Sequence, residues 1–129
     1  MKLVVIEEGS DLAAALWETR HGAASSVLSY PEGRAALAAA RRAGRLTAGA
    51  HTRSLEDFEV THDELLLVGV DAALARHAGK LAEELGLRGY DAVHLASAFA
   101  LGADTTLVTW DAALACAGAQ VGFAVAPAP

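Results

Sequence analysis

The chain has one cysteine, Cys116, in 129 residues, so no internal disulfide can form. Cys116 stands in an Ala-rich apolar stretch with nothing electropositive beside it in sequence, which predicts a small buried hydrophobe rather than a nucleophilic thiol. No apolar run approaches the roughly 18 residues needed to cross a bilayer. Residues 1–6 are too short and too weakly basic for a secretory signal, so a cytoplasmic chain with no membrane partner is expected. Phosphate-binding glycine motifs are missing: there is neither GxGxxG for a dinucleotide nor GxxxxGK[ST] for a nucleoside triphosphate. A phosphoreceiver pocket needs a lysine late in the chain, and the last one here is Lys80. His21, His51, His62, His77 and His94 show no metal-ligand spacing. Positive charge is also scarce. Ten Lys and Arg against sixteen Asp and Glu leave a net charge of −6, which excludes broad electrostatic capture of nucleic acid. It does not exclude a nuclease, because carboxylates awaiting a divalent cation lower the net charge and a few local arginines can hold phosphates.

What is present is a hydrophobic content of 53% with positive mean hydropathy, enough for one domain with a single core over 1–129. Residues 1–6, apolar apart from Lys2, read as a strand or as the end of a helix. Ser10 can cap a helix over 11–20. A short strand is expected at 24–28, followed by a helix opened by Tyr30-Pro31-Glu32 and closed by Arg41, Arg42 and Gly44. A polar helix over 47–64 is anchored by Leu55 and Phe58, with His51 and His62 on its wet side. The run LLLVGV at 65–70 reads as the clearest buried strand. Asp71 then caps a helix that ends before Gly86. Strand and helix alternate without repeats or linkers, which predicts an α/β sandwich with a parallel sheet covered on both faces.

The most informative stretch is 88–111, RGYDAVHLASAFALGADTTLVTWD. Apolar residues at helical spacing with small Ala and Ser between them predict a helix over 90–101, with Asp91 in its first turn. After Gly102, the run 105–110 reads as a buried parallel strand that delivers Asp111 at its carboxyl end. Open parallel sheets bind ligands beyond those ends. Glu32 occupies an equivalent place, one turn into a helix after a strand. Each carboxylate alone has an ordinary explanation: Glu32 and Asp91 suit a helix N-terminus, and Asp111 can be an N-cap. Together they would gather at one sheet edge within about 10 Å, where like charges repel unless a metal neutralises them. Oxygen donors with no Cys or His pair suit Mg²⁺ or Mn²⁺. Asp104 reads as a turn residue, His94 as a packed histidine, Trp17 and Trp110 as packing residues. Arg34, Arg41, Arg42 and Arg88 read as surface charges, Arg88 being the best placed for phosphate.

With those residues in view, SVLSYPEGRAAL, GLRGYDAVHLASAFALGADTTLVTWD and the strand after them resemble a PIN-domain ribonuclease of the VapC toxin type, over nearly the whole chain. The resemblance implies a PIN-like sandwich, with Glu32, Asp91 and Asp111 as acidic metal ligands and catalytic residues. It implies Mg²⁺-dependent (or Mn²⁺-dependent) cleavage of RNA by the toxin of an antitoxin pair, a small antitoxin protein as partner, and a homodimer. The departure is at the start. The family opens with a strand ending in an acidic motif of the form LDTSALVKL, whereas MKLVVIEEGSD aligns with the family's segment just after that motif, so residues 2–5 match the family's first helix. The first strand and its aspartate are expected to be absent from this chain and its activity impaired, through either a start codon placed too late or a real loss. The alternative reading is a non-catalytic remnant that still binds an antitoxin-like partner.

Overall fold

The computed structural model describes residue 5 and residues 7–128. The helical reading of residues 2–5 falls, apart from Val5, outside the described residues. Among the described residues six helices and four three-residue strands run in the order α1 Ser10–Glu18, β1 Ala24–Ser26, α2 Ser29–Arg42, α3 Ala48–Asp63, β2 Leu66–Val68, α4 Ala72–Leu85, α5 Gly89–Leu101, β3 Thr106–Val108, α6 Ala112–Gln120 and β4 Ala124–Ala126. This is the α/β alternation that the sequence predicts. Among the described strands β1 pairs with β2 and β3 with β4. The chain divides into two compact units, one comprising residues up to Ala24 with Leu28–Leu67, the other Ser25–Val27 with Val68–Pro129.

In the first unit, α1 begins one residue earlier than expected and ends sooner. Gly9, at φ 85°, takes the left-handed conformation at its start, where glycine carries no Cβ penalty. Ser10 is therefore not the cap. Its hydroxyl accepts from the Glu7 N–H at 2.9 Å and donates to Val5 O at 3.2 Å, tying the entry turn together. Pro31 lies in the first turn of α2, where no N–H is needed, and Arg41 and Arg42 occupy its last turn. Thr47 caps α3, its Oγ1 accepting from the Ala50 N–H at 3.1 Å. The two helices form a hairpin over a core of Leu37, Ala40, Leu46 and Phe58, joined by Val5, Ala50 and Leu55. They approach closely at Gly33: a Cβ there would fall 2.4 Å from the Phe58 ring.

His62 corrects the expectation of a wet face. It is 8% exposed, stands edge-on to Tyr30 with centroids 5.1 Å apart, lies beside Phe58, and places Nε2 3.2 Å from Ser29 Oγ. The cause is spacing: His62 is four residues after Phe58 and so shares its face. The expected buried strand at 65–70 is also corrected. β2 covers only Leu66–Val68, with Leu66 65% and Leu67 40% exposed, as suits a short strand in a two-stranded sheet. In this unit Leu66 N–H donates to Ala23 O at 2.9 Å.

The second unit is built on α5, whose Ala92, Leu95, Ala96 and Ala98 are almost wholly buried. Small side chains let α4 come close, and Ala78 and Leu81 of α4, Leu87, Leu107 of β3, Leu114 and Ala117 of α6, and Phe123 complete one core. Asp71 caps α4 by accepting from the Leu74 N–H at 2.8 Å. Gly86 (φ 66°) and Gly102 (φ 107°) end α4 and α5 in conformations open to glycine. Strands β3 and β4 are parallel, with Thr106, Leu107 and Val108 opposite Ala124, Val125 and Ala126. β3 stops at Val108, so Asp111 lies three residues beyond it. Cys116 is exposed, against expectation, because α6 buries Leu114, Ala115, Ala117 and Gly118 and residue 116 points the other way. Asp104 sits in the turn before β3 as expected.

Candidate metal centre

Asp91 and Asp111 reach one place from opposite kinds of element. Asp91 is in the first turn of α5, three residues after Arg88, which stands at the N-cap position. Asp111 comes after β3 and caps α6. A single guanidinium joins them: Arg88 Nε donates to Asp91 Oδ2 at 2.8 Å, and Arg88 Nη2 donates to Asp111 Oδ2 at 2.9 Å. Two such bonds to one planar guanidinium keep the two carboxylate oxygens within about 8 Å of each other. The side chain of Asp91 is 14% exposed and that of Asp111 35%, whereas Arg88 is 77% exposed. The carboxylates are thus held by the fold and the cation lies outermost. Hydrogen bonding to Asp91, then the charges of Asp91 and Asp111, push the Arg88 guanidinium above its already high ordinary value.

Asp111 serves structure and charge at once. Oδ1 accepts from the Leu114 N–H at 2.9 Å, the N-cap bond, and the Asp111 N–H donates to Thr109 Oγ1 at 3.1 Å. These bonds fix the carboxylate plane and leave Oδ2 for a cation. The N-cap and site readings of Asp111, set as alternatives from sequence, are compatible because each uses a different oxygen.

Glu32 lies in the first turn of α2, exposed, in the first unit. Asp91 and Asp111 are the pair brought together within the second unit. Among the described residues no group of three or more His, Cys, Asp or Glu side chains is clustered closely enough to hold a metal by itself. Magnesium is commonly held by one or two carboxylates with substrate phosphates and water completing the shell, and a carboxylate pair already sharing one cation suits that chemistry. Sequence reasoning singled out Arg88 for phosphate and did not find its bridge between the two aspartates. The signal available was its spacing, three residues before Asp91 at the start of the same helix. A second polar group, in the first unit, was also missed: Tyr30 Oη donates to Glu59 Oε1 at 2.7 Å, and Arg34 Nη1 donates to the same oxygen at 2.9 Å.

The chain is thus α/β, with one carboxylate in the first turn of a helix and one beyond a strand's carboxyl end, both bonded to the same guanidinium. The comparisons with known proteins place it more narrowly. The PIN domain family matches residues 6–118, and the chain belongs to that family. It is 45% identical over 129 residues to Ribonuclease VapC45 of Mycobacterium tuberculosis (strain CDC 1551 / Oshkosh), covering 99% of this chain and 90% of that protein. The same identity and coverage hold for Ribonuclease VapC49 of Mycobacterium tuberculosis (strain ATCC 25618 / H37Rv).

Proposed function

We propose that this chain is a divalent-metal-dependent ribonuclease, the toxin of a toxin–antitoxin pair. The observation that carries the reading is the convergence of Asp91 and Asp111 on one cation, Arg88, in a chain 45% identical to two proteins named ribonucleases. Asp91 and Asp111 are the residues that would hold Mg²⁺ or Mn²⁺. Glu32 is a third ligand on the strength of the family resemblance alone. When bound, the divalent cation supplies Lewis-acid stabilisation of charge developing on phosphate and polarisation of the attacking water.

The chain's own residues do the rest. Thr109 and the Leu114 N–H orient Asp111, so that its charged oxygen keeps one direction. Arg88 neutralises the pair in the absence of metal. With a metal bound to the aspartates, Arg88, which is exposed, would be free to offer its planar fork to a phosphate bidentately. A basic segment of a small antitoxin would dock on Asp91 and Asp111 in the same manner, with an arginine in the seat that Arg88 takes. A homodimer is proposed on resemblance only.

The test is cleavage of a labelled RNA with Mg²⁺ or Mn²⁺, repeated with EDTA and with Asp91→Asn, Asp111→Asn and Glu32→Gln. The reading expects cutting that EDTA abolishes and that each Asp substitution lowers by at least about 100-fold, the scale of losing one charge-stabilising group. Cleavage that survives both Asp substitutions would place the chemistry elsewhere. Absence of cutting by the unaltered chain, with retained binding to a co-encoded small basic protein, would favour the non-catalytic binder.

A further inference from the structure

Charge is unevenly placed along this chain. Residues 33–55 contain Arg34, Arg41, Arg42, Arg45 and Arg53 and no Asp or Glu, so this stretch carries +5 while the remainder carries −11 of the net −6. The fold gathers four of the five at one end of the α2–α3 hairpin. Arg41 and Arg42 close α2, Arg45 lies in the connection, and Arg53 is in the second turn of α3. The Arg53 guanidinium lies back along its helix: Nη1 is 3.4 Å from where a Cβ on Gly49 would stand, so it points toward the hairpin tip.

Two further facts separate these arginines from ordinary surface charge. All four are exposed, and none forms an ion pair among the described residues, in contrast to Arg20 with Glu64, Arg34 with Glu59, and Arg88 with Asp91 and Asp111. In an acidic protein with sixteen Asp and Glu residues, a cluster of like charges with no ion pair among the described residues suits an anion from outside. The helix macrodipole accounts for Arg41 and Arg42 at the end of α2 but not for Arg45 or for Arg53 near the start of α3. The connection is also packed into the core. Leu46, next to Arg45, is buried with Leu37, Ala40 and Phe58, which pins the connection to both helices.

We propose that the tip of the α2–α3 hairpin, presenting Arg41, Arg42, Arg45 and Arg53, is the docking surface for the phosphate backbone of the RNA substrate, an inference that rests on the ribonuclease reading above. Guanidinium groups on one ridge contact successive phosphates without reading bases, so the surface contributes affinity and position rather than sequence choice.

The experiment is fluorescence anisotropy of the full chain with a fluorescein-labelled single-stranded RNA of mixed sequence, in EDTA so that nothing is cut, over a series of NaCl concentrations. The variant Arg41→Gln/Arg42→Gln/Arg45→Gln should bind at least about tenfold more weakly at low salt. Its slope of log K against log salt should be shallower by about 2, since each lost contact on a single strand is worth about 0.7. The matching triple Lys variant should keep the wild-type slope, which separates charge from folding. Arg76→Gln/Lys80→Gln, which removes exposed cations of α4, should leave affinity and slope unchanged. The proposal is overturned if the Gln variant binds as wild type does with the same slope, if the α4 variant loses as much, or if only binding of a polyglutamate peptide falls. Failure of the unaltered chain to bind RNA at any salt overturns both this proposal and the ribonuclease reading. Mg²⁺-dependent cutting by wild type together with unimpaired binding by the Gln variant overturns this one alone.

Discussion

Asp111 divides its carboxylate between two partners: Oδ2 accepts from Arg88 Nη2 at 2.9 Å while Oδ1 accepts from the Leu114 N–H at 2.9 Å. Asparagine caps a helix about as well as aspartate but carries no charge. Asp111→Asn should therefore melt close to wild type and lose divalent-ion binding. Asp111→Ala should lose both, with a stability cost of about 1 kcal/mol. Thermal unfolding and Mn²⁺ titration of the two variants side by side check this. Equal destabilisation by Asn and Ala would show that the cap bond has no stabilising role.

Arg88 occupies one oxygen of Asp91 and one of Asp111, so under the proposed function a divalent ion would have to compete with it there. Its removal exposes an uncompensated pair of carboxylates, so Arg88→Gln should bind Mn²⁺ more tightly, roughly threefold to thirtyfold for two exposed charge-assisted bonds. RNA affinity measured without metal should fall or stay level. Weaker metal binding by Arg88→Gln would mean that Arg88 orders the aspartates rather than occupying their cation seat.

The close approach of α2 and α3 at Gly33 is a packing constraint with one partner. A Cβ there would lie 2.4 and 2.5 Å from Phe58 Cε2 and Cζ, and a ring in a packed core cannot move far. Gly33→Ala should destabilise by about 1–3 kcal/mol, and Gly33→Ala/Phe58→Leu should recover part of that loss relative to Phe58→Leu alone. Urea unfolding of the four proteins gives the coupling. Strict additivity would contradict the contact.

Tyr30, Arg34 and Glu59 give the first unit a pH dependence with a definite sign. The Tyr30 hydrogen bond, helped by the hydrogen bond and charge of Arg34, holds the Glu59 carboxyl below its ordinary range, against an opposing push from desolvation that is smaller than the Tyr30 bond alone. A folded-state value below the unfolded one gives stability that is present above the unfolded carboxylate value and is lost as pH falls through the folded one. Acidification below the carboxylate range should lower the urea midpoint, and Glu59→Gln should make that fall shallower. An identical pH profile for Glu59→Gln would remove Glu59 from the account.

Much of this was legible before the fold was seen, for physical reasons that differ by element. Helices α4 and α5 announce themselves because Asp71, Gly86 and Gly102 mark their ends chemically and their apolar spacing runs for several turns. Asp91 and Asp111 could be placed because a helix start and a strand's carboxyl end are local features. The misreadings needed tertiary information. Whether LLLVGV is buried depends on how many strands flank it, which local pattern does not carry. The seat of Arg88 depends on a residue 23 positions away. His62 and Cys116 were assigned from their neighbours in sequence, whereas helical phase decides them: one lands on the Phe58 face, the other opposite the buried face of α6.

The central claim is that Asp91 and Asp111 form one cation seat. The measurement that tests it most directly is a double-mutant cycle read by Mn²⁺ binding, with wild type, Asp91→Asn, Asp111→Asn and the double variant titrated under one set of conditions. A shared ion requires strong coupling: either single substitution should remove most of the affinity and the double should lose little more. Losses that simply add, or an Mn²⁺ affinity that either substitution leaves intact, would contradict it.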